Sequence, residues 1–180
     1  MYRHFKAVAG NTSLPCILYN VPSRTVVSMS ADTAIRLSEI DNIAGVKEAS
    51  GNLEQIAKII THTRDDFLVW SGNDSDTFPI MALGGYGIIS VASHLVGSQI
   101  KQIIDSFISG RIDEAAAIHH RLLPLVNALF IISSPIPVKY AVNQVGFRVG
   151  ETRLPLCEPD EKTATIIRDA LKNQKIDLPV

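Results

Sequence analysis

Two short segments carry the residue types with the greatest chemical potential in this chain. Residues 19–25, YNVPSRT, supply a phenol and a guanidinium, and residues 45–51, GVKEASG, supply a lysine. Each segment adjoins a short apolar run that predicts a buried strand, so its polar residues lie where parallel α/β proteins place their chemistry, at the carboxyl ends of strands. A lysine, a phenol and a guanidinium together suit imine (Schiff-base) chemistry on a small keto acid.

Lys47 is the candidate nucleophile. A protonated lysine cannot attack a carbonyl, but an amine at the mouth of a parallel sheet loses solvent, which favours its neutral form. The neutral amine can condense with a ketone, and the resulting iminium acts as an electron sink for the adjacent carbon. Judged by position alone, Lys47 could also be an ordinary solvated lysine in a βα loop. Glu48 follows it in the strand and should point the other way, so we interpret it as structural.

Three further positions complete the candidate site. Tyr19 could relay protons to the imine, or be a core tyrosine with a satisfied hydroxyl. Arg24 could bind a carboxylate through two parallel hydrogen bonds, or be a surface arginine. Gly72, in the turn after the third run, allows close backbone approach to a ligand, although a plain tight turn has the same composition.

The elements that must position these residues follow a βα rhythm. Continuous apolar runs predict four parallel strands buried on both faces, near residues 16–19, 43–46, 67–70 and 87–91. Helical patterns separate them: Ser30 is a predicted N-cap, and Pro79 is the predicted start of a shorter helix. Four such strands could form a small open sheet or half of an eight-stranded barrel, which typically needs about 250 residues.

The chain changes character after the fourth strand. The pattern predicts helices ending near Gly110, then from 112 to 131, from the Pro135 break to Gly146, and from 160 to 172. We therefore predict an α/β domain over residues 1–110, which includes the last part of a preceding helix, and a helical domain over residues 111–180.

Composition excludes several classes of function. The net charge of −1 gives no electrostatic footprint for nucleic acid, and no apolar stretch reaches the roughly 20 residues that span a bilayer. The histidines lack metal spacing, and the glycine-rich stretch at 84–87 precedes a strand instead of following one, which argues against a phosphate cradle. Cys16 and Cys157 form no disulfide framework, and we interpret Cys16 as a reduced core thiol.

Five motifs in order carry a resemblance to a known family. The sequence resembles the dihydrodipicolinate synthase (4-hydroxy-tetrahydrodipicolinate synthase) family, within the pyruvate-dependent aldolases and lyases that include N-acetylneuraminate lyase. The motifs are LYNVPSRT at 18–25, GVKEASG at 45–51, SGND at 71–74, GIISV at 87–91 and PIPVK at 135–139. The resemblance implies the carboxyl-terminal half of a TIM (β/α)8 barrel, with strands five to eight, followed by a helical region used in assembly.

The resemblance also implies a reaction and its residues. Lys47 would form the imine with pyruvate, Tyr19 would join the proton relay, and Arg24 would bind the carboxylate of aspartate semialdehyde. Backbone near Gly72 and Ile89 would line the pyruvate pocket. The implied function is synthesis of 4-hydroxy-tetrahydrodipicolinate for diaminopimelate and lysine biosynthesis. It would take place in the cytoplasm, by a homo-oligomer (a dimer or tetramer), with no cofactor, no metal, no nucleic acid and no membrane.

The match begins at Phe5, which implies a carboxyl-terminal half of a longer protein. The family's preceding half would carry a threonine of the relay and a second tyrosine from across a dimer interface. Half a barrel alone would leave strand edges and an apolar face exposed, so we predict that the isolated chain is marginal, aggregates or pairs with another copy.

Two other functions remain open at this point. The chain could be a non-catalytic fragment or an assembly module. It could also be a related aldolase such as N-acetylneuraminate lyase, although Arg24 favours the synthase branch.

Overall fold

Four parallel strands form one sheet in the computed structural model, which describes residues 1–178. The strands lie in chain order, β1 to β4, and every neighbouring pair is parallel. Their bounds are β1 Cys16–Asn20, β2 Ile43–Glu48, β3 Leu68–Ser71 and β4 Gly87–Ile88. The predicted α/β architecture with four parallel strands is therefore confirmed.

The contacts divide the chain into two compact units, of which the first is Met1–Ile89 and contains the whole sheet. One helix precedes the sheet, and four further helices and a 3-10 turn at Asp74–Asp76 lie between its strands. The helices are α1 Tyr2–Ala9, α2 Pro22–Thr25, α3 Ala31–Ser38, α4 Leu53–His62 and α5 Thr77–Ala82.

Capping side chains mark the starts of two of these helices. Ser30 caps α3 as predicted, since its side chain accepts a hydrogen bond from the backbone N–H of Thr33 at 3.3 Å. Asn52 caps α4 in the same way. The predicted start at Pro79 is late, because the 3-10 turn at Asp74–Asp76 runs directly into α5 and the helix begins at Thr77.

The sheet has one packed face and one open face, which corrects the prediction of burial on both faces. Residues of α3 and α4 cover the packed face, where they form one apolar cluster with Leu18, Val46 and Val69. On the other face Ile17 is 48% exposed and Tyr19 is 47% exposed. The physical reason is that these helices cover only one side of the sheet, so alternate strand residues face a different environment.

The fourth strand is shorter than its apolar run predicted. The run extends to Val91, but β4 ends at Ile88. Its neighbour β3 ends at Ser71, whose carbonyl accepts a final hydrogen bond from the N–H of Ile89. Beyond that bond β3 has no further residues with which the apolar run could pair, and the chain turns.

The second unit begins at Ser90 and is helical. Its helices are α6 Ser93–Ile108, kinked at Val96, α7 Ile112–Leu129, α8 Ile136–Gln144 and α9 Glu161–Lys172. Helix α7 contacts the other three, and its fully buried leucines, Leu122, Leu125 and Leu129, anchor the packing. The predicted domains 1–110 and 111–180 stay a prediction. Within residues 1–178, no helix combines the length and apolar character needed to cross a bilayer.

Candidate functional site

The structure brings Lys47 and Tyr19 into direct contact. They are register partners on β2 and β1, so their side chains project to the same, open face of the sheet. The Nζ atom of Lys47 lies 4.3 Å from the centroid of the Tyr19 ring. At that distance the ring face attracts the ammonium form of the lysine electrostatically. The two side chains that the sequence singled out therefore form one unit at the carboxyl edge of the sheet.

A second aromatic residue flanks the lysine, and the sequence did not single it out. Trp70 is the register partner of Lys47 on β3, so it also projects to the open face. Its indole meets the ring of Tyr86 edge-to-face at 5.7 Å between centroids. The indole also lies over Gly45, where a Cβ atom would come within 2.7 Å of its Cζ3 atom. The signal that could have found Trp70 is its position at the carboxyl end of the third run.

Gly72 lies against the stem of the lysine. A Cβ atom at this position would lie 3.2 Å from Cε of Lys47 and 2.7 Å from Cβ of Ala49. The N–H of Gly72 donates to the carbonyl of Glu48 at 2.7 Å, which extends the pairing of β3 with β2. Glycine is therefore required by close approach at this edge, and that approach shapes the surroundings of the amine.

Ile89 occupies the same edge, one strand further along. Its N–H donates to the carbonyl of Ser71 at 3.0 Å, and its side chain is 39% exposed. Because Ser71 directly precedes Gly72, the backbone at Ile89 is joined to the Gly72 turn through one hydrogen bond.

Arg24 lies in α2, the short helix that follows β1, and it is exposed. Contacts join Tyr19, Lys47 and Gly72, whereas Arg24 lies in the loop that leaves the carboxyl end of β1, at the same edge of the sheet. That loop contains a strained residue: Val26, which ends α2, has φ 61° and is 92% exposed. A β-branched residue rarely adopts this left-handed conformation.

Glu48 lies on the packed face, as its place in the strand predicted. Its side chain is fully buried, and Asn20 Nδ2 donates to both carboxylate oxygens at 3.1 Å. Asn20 is also buried and directly follows Tyr19, and the sequence did not single it out. An asparagine at a strand end gives no signal for a partner that lies 28 residues away.

The arrangement suits covalent chemistry of an amine with a small carbonyl compound. An amine that lies between two aromatic side chains on an open face can accept a flat keto acid, and the Tyr19 side chain in contact with it brings a hydroxyl that exchanges protons to the same face. Among residues 1–178, no three His, Cys, Asp or Glu side chains cluster in a way that could hold a metal ion.

Comparison with known proteins gives consistent matches along the chain. A 4-hydroxy-tetrahydrodipicolinate synthase from Dehalococcoides mccartyi (strain ATCC BAA-2266 / KCTC 15142 / 195) is 63% identical over 180 residues, which are all of this chain and 61% of that protein. The crystal structure of DHDPS from Cyanidioschyzon merolae with lysine bound is 44% identical with a TM-score of 0.94, and the match covers 96% of this chain and 59% of that one. The chloride-inhibited dihydrodipicolinate synthase from Acinetobacter baumannii complexed with pyruvate is 38% identical with a TM-score of 0.91, at 96% and 59% coverage.

The chain thus spans about three fifths of the length of the curated relatives that it matches. The sequence pattern of the Dihydrodipicolinate synthetase family matches residues 1–174, nearly the whole chain. On this match, together with the structural likeness over four parallel strands and their helices, the chain belongs to the dihydrodipicolinate synthetase family.

Proposed function

We propose that Lys47 forms an imine with pyruvate and that the whole protein condenses this pyruvate with aspartate semialdehyde to give 4-hydroxy-tetrahydrodipicolinate. The observation that carries the proposal is the Lys47 amine seated over the Tyr19 ring at 4.3 Å, at the carboxyl edge of the sheet. Membership of the family supports the substrates, and the relative from Acinetobacter baumannii is described as complexed with pyruvate. Such an enzyme would serve lysine and diaminopimelate biosynthesis.

The chemistry follows from the placement of the side chains. The neutral amine of Lys47 adds to C2 of pyruvate, and the carbinolamine loses water to give an iminium. The iminium draws electrons from C3, which releases a proton and becomes the nucleophilic carbon of an enamine. Tyr19 supplies and accepts protons in these steps, because its side chain lies next to the amine. The enamine carbon then attacks the aldehyde carbon, whose oxygen takes up a proton to become a hydroxyl. The amino group of the same aspartate semialdehyde adds to C2 and expels the Lys47 amine, which closes the ring and releases the product.

The other positions would bind and orient the substrates. Arg24 would hold the carboxylate of aspartate semialdehyde through its two parallel N–H donors. Backbone at Gly72 and Ile89 would line the pyruvate pocket, which the close approach of Gly72 to the Lys47 stem keeps narrow.

The open face of the sheet supports a longer architecture. In this proposal the four strands are the carboxyl-terminal half of a TIM barrel, and the open face that exposes Ile17 and Tyr19 is the inner wall of the closed barrel. The helical unit would serve assembly into a dimer or tetramer. The relay threonine and second tyrosine implied by the family have no counterpart in these 180 residues, so we expect imine formation by this chain with weak overall turnover.

The test is reductive trapping of the imine. The chain is incubated with pyruvate and borohydride, and the modified peptide is identified by mass spectrometry. We expect one pyruvyl adduct on Lys47, none in the Lys47→Met variant, and an unchanged adduct in the Lys58→Met variant, whose lysine pairs with Asp32 on the packed side. Adducts scattered over several lysines, or none, would contradict the proposal.

The second substrate has its own test. With pyruvate limiting, aspartate semialdehyde added before borohydride should lower the amount of trapped pyruvyl adduct, because even slow condensation consumes the enamine during a long incubation. The Arg24→Ala variant should trap pyruvate as well as the wild type but lose this competition. Equal competition in both proteins would remove Arg24 from the proposed site, whereas no competition in the wild type would favour a different aldehyde, as in the neuraminate lyases.

A further inference from the structure

A buried polar pair lies directly behind the candidate catalytic pair. Glu48 is 0% exposed and Asn20 is 3% exposed, and the Nδ2 of Asn20 donates to both carboxylate oxygens of Glu48 at 3.1 Å. Strand alternation puts them on the packed face, one residue after Tyr19 and Lys47 respectively. Each member of the buried pair is therefore covalently joined to a member of the catalytic pair.

Asn20 also closes the loop that carries Arg24. Its Oδ1 accepts from the N–H of Met29 at 2.9 Å, so the chain leaves β1 at Asn20 and returns to the same side chain at Met29. Both ends of the loop are thus fixed to one buried amide. The helix α2, and Arg24 within it, lies between these two anchor points.

Glu48 carries the connection to the next strand. Its Oε1 accepts from the N–H of Ser50 at 2.8 Å, and its Oε2 lies 3.5 Å from Nε2 of Gln55 on α4. Backbone bonds run alongside, from the N–H of Ala49 to Asn20 and from the N–H of Gly72 to Glu48. One carboxylate therefore ties the end of β1, the turn after β2 and the first turn of α4.

The energetics argue that this pair has a purpose beyond stability. Burial of a carboxylate carries a large desolvation penalty, and an apolar pair of similar volume often holds a core as well or better. The donors that meet Glu48 are amides and a backbone N–H, not a countercharge. Directed hydrogen bonds hold the two side chains in one fixed geometry, which apolar packing does not do.

We propose that Asn20 and Glu48 are positioning residues of the site: their buried hydrogen bonds set the strand ends that hold the Tyr19 ring over the Lys47 amine and anchor the loop that carries Arg24. The part that concerns Lys47 reactivity rests on the proposed function. The part that concerns the loop rests on the hydrogen bonds alone.

The experiment compares a variant that disrupts the hydrogen bonds between Asn20 and Glu48 with a double variant in which donor and acceptor are exchanged. Glu48→Gln puts an amide opposite the amide of Asn20, whereas the double variant Asn20→Asp with Glu48→Gln restores a donor–acceptor pair with the roles reversed. Ile59→Ala is the control, because it removes a fully buried side chain from the same unit that takes no part in the hydrogen bonds of Asn20 and Glu48. The two readouts are hydrogen exchange of residues 21–28 and the rate of pyruvate trapping at Lys47.

We expect Glu48→Gln to speed exchange in residues 21–28 and to slow trapping about tenfold, since a buried hydrogen bond is lost. The double variant should return both rates most of the way to the wild-type values. Ile59→Ala should lower thermal stability with little effect on the exchange rate or the trapping rate. The proposal would be overturned if the Glu48→Gln variant kept the wild-type rates of hydrogen exchange in residues 21–28 and of pyruvate trapping at Lys47. It would also be overturned by failure of both the single and the double variant to fold, because the pair would then be a requirement of the fold itself.

The two proposals can fail separately. If the wild type forms no pyruvyl adduct, the proposed function fails, and the exchange of residues 21–28 alone decides whether the pair anchors the loop.

Discussion

The two faces of the sheet in the first unit differ in almost every physical respect. The packed face buries Leu18, Val46 and Val69 against helices and encloses the hydrogen-bonded pair of Asn20 and Glu48. The open face presents exposed or half-buried side chains that include Tyr19, Lys47 and Trp70. The same strands supply both sets, because successive side chains alternate. The buried side chains that stabilise the unit and the residues of the candidate site are thus one residue apart along each strand.

The largest difference in stability between the two faces should appear when Leu18 and Ile17, neighbours on β1, are each replaced by alanine. Leu18→Ala removes a buried side chain and should lower the unfolding free energy by about 2–5 kcal/mol. Ile17→Ala removes a side chain that is already half exposed and should lower it by less than about 1 kcal/mol. Urea unfolding followed by the fluorescence of Trp70, the only tryptophan of the chain, measures the sheet unit directly. Equal losses would mean that the open face is covered in solution.

Gly72→Ala should affect the chemistry of the open face more than its stability. The added Cβ would meet Cβ of Ala49 at 2.7 Å, so the chain at this edge must shift, and Cε of Lys47 at 3.2 Å, so the lysine stem must adjust as well. We expect pyruvate trapping to slow about tenfold, because small displacements of a reacting group are costly in rate. The control is Gly97→Ala on α6, where the nearest atom is 3.8 Å away. An unchanged rate in Gly72→Ala would show that the pocket is loose at this edge.

A substitution in the loop that carries Arg24 should have a smaller effect, and it should raise stability instead of lowering it. Val26 adopts φ 61°, which costs a side chain about 1–2 kcal/mol, whereas glycine adopts it freely but loses more backbone entropy on folding. Val26→Gly should therefore raise the unfolding free energy by about 0.5–1 kcal/mol. Val27→Gly, at the next exposed position, should lower it. A loss in Val26→Gly as large as that in Val27→Gly would contradict the strain argument.

The smallest effect concerns the helices that cover the packed face. Asp32 on α3 pairs with Lys58 on α4 at 2.8 Å, and the hydrogen bond and charge of that lysine lower the pKa of Asp32 below its ordinary value of 3.8. A lowered pKa in the folded state means that the stabilisation is present above 3.8 and is lost as the pH falls through the lower, folded value. Asp32→Asn should therefore slightly lower the melting temperature at neutral pH and lose that difference at strongly acid pH. A difference that persists in acid would assign the effect to something other than ionisation.

Local features of the structure were predictable from the sequence. The apolar runs located all four strands, and Ser30 was identified as a cap because its partner lies three residues away. Boundaries that depend on a neighbouring strand or turn were less accurate. The strand β4 ends earlier than its apolar run because Ser71 is the last residue that it can pair with, and α5 begins earlier because a 3-10 turn leads into it.

The sequence by itself determined the βα order, the helical second half, the family and the residue types at the candidate site. Only the tertiary structure decided that the Lys47 amine lies over the Tyr19 ring, that Trp70 flanks it, and that Asn20 and Glu48 meet behind it. The physical reason is distance along the chain. Caps and helical faces arise from contacts within a few residues, whereas register and side-chain pairing across strands join residues 28 positions apart and depend on how the strands align.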